Sequence, residues 1–170
     1  LDSLQFKSIC LRYFNAAGAG YKIGEDHDPE THLIPLILKV ALGQIENIKI
    51  FGTDYKTPDG TGIRDYVHVL DLASAHHKAL EALDKGITGK YNVGTGKGAS
   101  VKEILEHCRA ITARQILDME LPRRKGDPAE LVACCDKIKQ DLGWEAKYTI
   151  KDTIESAWHW HSSHPSGFKS

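Results

Sequence analysis

The chain has 170 residues, 41% of them apolar, and its 22 Lys and Arg against 23 Asp and Glu leave a formal net charge of −1. That balance excludes a disordered chain and gives no bulk electrostatic attraction to nucleic acid or to a membrane surface. The longest apolar run, Leu33 to Leu38, falls far short of the about 20 residues that a transmembrane helix needs. The expectation is a soluble α/β or α+β chain of one domain, or a domain with an extension.

Residues 8–14 form a β-rich apolar run that predicts a buried strand, followed by small residues at 15–20 that allow close backbone approach. Residues 21–31 read as a polar loop. Thr31 is the expected cap of a helix over 33–43, where Leu33, Leu36, Ile37, Val40 and Ala41 keep helical spacing and Gly43 is the stop. Residues 48–51 alternate as a short strand, 52–62 form a turn-rich loop, and 63–69 are extended. Asp71 is the expected cap of a helix over 72–85 that turns Leu72, Ala75, Ala79, Leu80 and Leu83 inward. Residues 90–93 read as a strand closed by Gly94-Thr95-Gly96-Lys97-Gly98. Ser100 and Glu103 form a capping box for a helix over 101–113. Short strands are expected at 116–121 and 131–134, with a charged loop at 123–128 between them. Asp136 should cap a helix through Leu142, ended by Gly143. A last helix over 150–163 places Ile150, Ile154, Ala157, Trp158 and His161 on one stripe.

Four cysteines (10, 108, 134 and 135) include no CxxC pair, and no signal-peptide pattern precedes them. Reduced thiols in a cytoplasmic protein are expected, with Cys134 and Cys135 on opposite faces of a strand. The chain begins at Leu1 with a core strand close behind, which suggests the C-terminal part of a longer protein. Gly94-x-Gly96-x-Gly98 matches neither the dinucleotide fingerprint nor the Walker loop and reads as a strand-to-helix turn. His159, His161 and His164 lack the spacing or partners of a metal site, so they and His76-His77 read as surface helix residues, and no metal is expected. His68, at a strand end, is left open.

The arginines say more. Arg64 follows a glycine-rich loop, and Arg123-Arg124-Lys125 stands before Gly126-Asp127. Guanidinium groups bind phosphate oxygens in bidentate fashion, so two converging arginines suit a diphosphate, and a nearby carboxylate suits a sugar hydroxyl. On spacing alone, solvated loop charges explain the same residues. No Tyr-x-x-x-Lys, no G-x-S-x-G and no glycosidase carboxylate pair occurs. The residues themselves are compatible with a phosphosugar site or with solvated loop charges, and they show no catalytic group.

Taken together, several segments resemble the C-terminal part of the UDP-glucose 4-epimerases, within the extended short-chain dehydrogenase/reductase family. They are residues 11–15 (LRYFN), 31–35 (THLIP), 50–55 (IFGTDY), 59–73 (DGTGIRDYVHVLDLA), 91–96 (YNVGTG), 123–127 (RRKGD) and 158–160 (WHW). They run in family order over nearly the whole chain. The resemblance implies a UDP-sugar-binding α/β part at 1–170, carrying the last strands of a Rossmann sheet near 8–14 and 90–93. Most of the NAD-binding domain, with the catalytic tyrosine and lysine, would lie upstream. It implies that Tyr13 and Phe14 face the NAD nicotinamide and that Asn15 meets the UDP-hexose substrate. His32 and Leu33 would join the nucleotide pocket, and Lys49, Ile50 and Phe51 would pass along the uracil. Arg64 and Arg124 would hold the diphosphate, Asp127 a ribose hydroxyl, and Leu131 would gate sugar size. His32 replaces the asparagine of many relatives, and Leu131 is intermediate between the large and small residues found there, which leaves UDP-N-acetylglucosamine as an alternative substrate. The implied whole enzyme is a homodimer that oxidises C4 with NAD and returns hydride to the other face. A non-catalytic UDP-sugar-binding module is the reading from another class.

Overall fold

The computed structural model describes residues 6–20 and 22–168. In chain order the elements are β1 (Ile9–Tyr13), β2 (Asn15–Ala17), α1 (Leu33–Ala41), β3 (Ile48–Phe51), β4 (Ile63–His68), α2 (Val69–Asp84) and β5 (Gly89–Val93). There follow β6 (Gly98–Ser100), α3 (Val101–Thr112), β7 (Asp118–Leu121), β8 (Glu130–Leu131), α4 (Asp136–Leu142) and α5 (Ile150–Ser163). The mixed α/β class expected from the sequence is the class observed.

β1 and β5 pair in parallel, with Leu11 opposite Tyr91. β2 pairs in parallel with β4, Asn15 opposite Tyr66. Only Phe14 separates β1 from β2, and its amide donates to Val93 O at 3.1 Å. The chain thus changes from one sheet to the other across a single residue. β4 also pairs antiparallel with β6 and parallel with β8, while β3 and β7 form a separate parallel pair.

Successive residues of β4 point to opposite sides, and this divides the interior into two cores. Tyr66 packs with Ile34, Ile37 and Leu38 of α1, Ile48 and Ile50 of β3, Ile104 and Cys108 of α3, and Ile154 of α5. Val67 packs with Ala75 and Ala79 of α2, Tyr91 and Val93 of β5, Ile138 of α4, and Trp144. Burial pushes the Cys108 thiol up to about 12, so it behaves as a small apolar side chain.

Asp65, immediately before Tyr66, is fully buried. Its carboxylate accepts the amides of Thr95 (2.8 Å), Gly96 (3.0 Å) and Ala133 (3.1 Å), and the Thr95 hydroxyl (2.7 Å). The glycine-rich loop after β5 is therefore wrapped around an internal anion. Gly94 must be glycine here, since a Cβ would lie 2.5 Å from an Asp65 oxygen and 2.6 Å from Ala133 Cβ.

Several expectations are corrected. The run at 8–14 is a strand, but β1 is half-buried to exposed because it is paired on one side only among the described residues. The small residues at 15–17, read from the sequence only as allowing close backbone approach, form the strand β2. The N-cap of α1 is His32 with no side-chain bond; instead of Thr31 capping, the Glu30 carboxylate takes the Thr31 and His32 amides at 2.7 Å each. Asp71 does not cap α2. It is buried and accepts the Lys147 and Tyr148 amides, and the cap is His68, whose Nδ1 accepts from Leu70 N at 3.0 Å. Leu80 points to solvent at 63% exposure. The strand expected at 131–134 is β8, so Cys134 and Cys135 lie outside any strand, both as free thiols. Cys135, not Asp136, occupies the cap position of α4. In α5 a Thr149–Asp152 capping box starts the helix; Trp158 packs partly buried against the first core, in line with the expected stripe, and Trp160 is buried as well. The Ser100–Glu103 capping box of α3 is present as read.

His68 is 1% exposed, and both of its nitrogens are assigned. Nδ1 accepts from Leu70, so Nε2 carries the hydrogen and donates to Ser156 Oγ at 3.0 Å; that hydroxyl donates onward to Thr153 O at 2.9 Å. The ring stacks on Tyr148 with centroids 4.2 Å apart. A Cβ on Gly18, whose φ is +86°, would come within 2.9 Å of this ring.

Two outcomes follow from these buried groups. Asp65→Ala strands three amides, and urea unfolding should show a loss of about 3–5 kcal/mol. Burial lowers the His68 pKa below its ordinary value. Below about pH 6.5 the unfolded chain takes up a proton that native His68 refuses, so its contribution to stability falls as the pH drops through that range. His68→Asn keeps an N-cap acceptor but does not titrate, and its unfolding midpoint should depend less on pH between about 6.5 and 5 than that of the parent chain.

Candidate functional site

The C-terminal ends of β1 and β5 meet the start of β2 at Phe14. In open α/β sheets a ligand cleft forms where strand ends diverge in this way. A cleft of about 1120 Å³ opens there, walled by the β1–β2 junction, the start of α1, β3, β4 and the loop after β7. Eleven of the twelve residues singled out from the sequence line it: Tyr13, Phe14, Asn15, His32, Leu33, Lys49, Phe51, Arg64, Arg124, Asp127 and Leu131. Ile50 is the exception. It alternates with Lys49 and Phe51 along β3 and is buried in the first core at 1% exposure, so its side chain is not on the cleft wall.

The positions of these side chains follow from local structure. Arg64 lies on β4 between Ala99 of β6 and Leu131 of β8, so strand pairing sets Leu131 beside Arg64. Arg64 Nη2 donates to Asp127 Oδ1 at 3.2 Å, and Nη1 donates to Ile63 O at 2.7 Å. The Arg124 guanidinium lies 3.8 Å above the centre of the Phe51 ring. The aromatic face expected to stack on a base thus carries a cation in this structure. Arg123 is placed elsewhere: it binds the Asp54 carboxylate at 2.6 Å and lies over Tyr55 at 4.3 Å. At the β1 end, His76 Nδ1 donates to Leu72 O, which makes Nε2 the acceptor for the Tyr13 hydroxyl at 2.6 Å.

Sequence reasoning passed over Tyr66, Tyr55 and Glu30, which line the same cleft. Tyr66 was within reach, because it stands two residues from Arg64 on one strand and so shares its face. Burial pushes its phenol far above the usual range, with Arg64 opposing. Tyr55 and Glu30 sit on loops that no periodicity aims. The Tyr55 hydroxyl is buried without a hydrogen-bond partner among the described residues.

Parallel strands with crossover helices, and a cleft walled by two guanidinium groups, an ammonium and aromatic rings, define a Rossmann-like α/β protein suited to an anionic ligand. Comparison with known proteins narrows this. The model of the NAD dependent epimerase/dehydratase family matches residues 2–94. A protein of Halalkalibacterium halodurans named UDP-glucose 4-epimerase is 56% identical over 164 residues, which is 94% of this chain and 49% of that protein. A crystal structure of a UDP-glucose 4-epimerase superposes with a TM-score of 0.95 at 51% identity, covering 99% of this chain and 53% of the other. The Bifidobacterium longum UDP-glucose 4-epimerase, solved with NAD+ and UDP, gives 0.89 at 40% identity over 96% of this chain and 50% of its own. The chain belongs to the NAD dependent epimerase/dehydratase family, and it spans about half the length of the curated relatives it matches.

Removing the orphan hydroxyl tests the reading of Tyr55. Tyr55→Phe should raise the unfolding free energy of the ligand-free chain by about 1 kcal/mol in urea titration, since it deletes an unsatisfied buried group and little else.

Proposed function

We propose that this chain is the UDP-sugar-binding half of an NAD-dependent UDP-glucose 4-epimerase, with residues 1–170 as the C-terminal part and the NAD-binding domain supplied by sequence before it. The observation that carries the reading is the convergence of Arg64, Arg124, Asp127 and Phe51 on one cleft. Relatives that carry the epimerase name at 49% identity and above support it.

In this reading Arg64 and Arg124 neutralise the diphosphate. Asp127, already held by Arg64, turns its free oxygen to a ribose hydroxyl. Arg124 leaves the Phe51 ring to meet phosphate, which frees that ring for the uracil. Asn15, His32, Leu33 and Lys49 complete the nucleotide pocket. Leu131, half-exposed beside Arg64, limits the hexose. NAD, when bound, supplies reversible hydride removal at C4. The residues of this chain that fit it are Tyr13 and Phe14, at the sheet end where a nicotinamide would meet the sugar. The loop at 94–96 does not fit a pyrophosphate, since two of its amides are bound to Asp65. The tyrosine–lysine pair would come from the other half, as would the helices of a homodimer.

The test is a fusion of this chain to the N-terminal half of the Halalkalibacterium halodurans relative, assayed for conversion of UDP-galactose to UDP-glucose. The fusion should turn over, and the chain alone should not. Arg64→Ala in the fusion should lower kcat/KM by about 30- to 150-fold, the loss expected for a charge-assisted diphosphate contact of about 2–3 kcal/mol. An active fusion indifferent to Arg64→Ala would remove the diphosphate assignment.

A further inference from the structure

We propose that Glu25, His27, Glu30 and His32 form a site for one divalent transition-metal ion of the zinc type on the rim of the cleft. Neither the sequence pattern nor the epimerase reading assigns such a site, and the proposal does not depend on that reading. One ligand atom from each of the four residues lies within 4.8 Å of all the others. His32 Nδ1 stands 2.7 Å from Glu25 Oε1 and 2.9 Å from Glu30 Oε1, and His27 Nδ1 is 3.9 Å from Glu25 Oε1. Donors around a tetrahedral ion with bonds of about 2.0–2.2 Å are about 3.4 Å apart, so these separations bracket what an ion would require. Two imidazoles with two carboxylates suit Zn²⁺ and its neighbours in the transition series; Ca²⁺ and Mg²⁺ favour oxygen alone.

Charge points the same way. The Glu30 side chain is only 3% exposed. Among the described residues, its ion-pair partner and those of Glu25 are histidines, with no lysine or arginine. A buried carboxylate without a fixed cation is costly. The donors are also positioned in advance. The Thr31 and His32 amides hold the Glu30 carboxylate, His32 stands at the start of α1, and Trp160 Nε1 donates to Glu25 O at 3.0 Å. Such supporting bonds orient ligands at protein metal sites. Glu30 and His32 also line the cleft, so an ion here would fix part of its wall.

Co²⁺ titrated into the purified 170-residue chain is the test, with circular dichroism recorded on each sample. The expected result is the intense visible absorption of four-coordinate cobalt, saturating at one ion per chain and displaced by Zn²⁺. His27→Ala and Glu25→Gln should each weaken binding about tenfold or more, while His77→Ala, on the exposed face of α2, leaves it unchanged. Weak six-coordinate absorption, a stoichiometry other than one, or equal affinity in the folded Glu25→Gln chain would overturn the proposal and leave His32 as a hydrogen-bonded link between two carboxylates.

Discussion

The carboxylate of Asp65 holds the structure together at the point where its parts meet. It sits on the central strand β4, buried, and draws in the loop that follows β5 and the segment that follows β8. Among the described residues, backbone amides and one hydroxyl are its hydrogen-bond partners, so the anion is stable only while all three segments stay closed around it. On either side of it in sequence, Arg64 and Tyr66 face the cleft while Val67 enters the second core. The same carboxylate therefore sets the depth of β4 relative to both cores and, through β4, the position of the guanidinium on the cleft wall.

This arrangement also explains why a glycine-rich loop after a strand is not an anion site for a ligand. Glycines at 94, 96 and 98 bring amides close together, which is the property that phosphate loops use. Here the protein's own carboxylate takes that place. In the proposed reading, phosphate recognition falls instead to side chains, to Arg64 and Arg124, which come from elements far apart in sequence. The proposed grip would be made by guanidinium groups, one of which lies over the Phe51 ring in this structure.

What was legible in the sequence divides along the range of the interactions. The Ser100–Glu103 box depends on four residues in a row, and it was read correctly. The cleft residues were legible chiefly through family resemblance; by spacing alone Arg64 and Arg124 were as readily solvated charges, because nothing local says that residue 64 and residue 124 share a wall. Asp71 stood where a cap should stand, yet its partners are Lys147 and Tyr148, more than seventy positions away. Ile50 was placed in the pocket with its neighbours, although strand alternation already assigned it to the core. The metal-type cluster at 25–32 escaped because its residues lie in an irregular loop, where no period brings alternate side chains together.

The junction at Phe14 has a consequence for tolerated change. β1 keeps register with β5 up to Tyr13, and β2 takes up register with β4 at Asn15. One residue of slack separates two pairings that each have a period of two. An insertion or deletion at this point would reverse the inward and outward faces of one sheet relative to the other. It would turn Ala17 out of the first core or Leu11 out of the second. Loops elsewhere in the chain can lengthen, but this join can vary only by substitution.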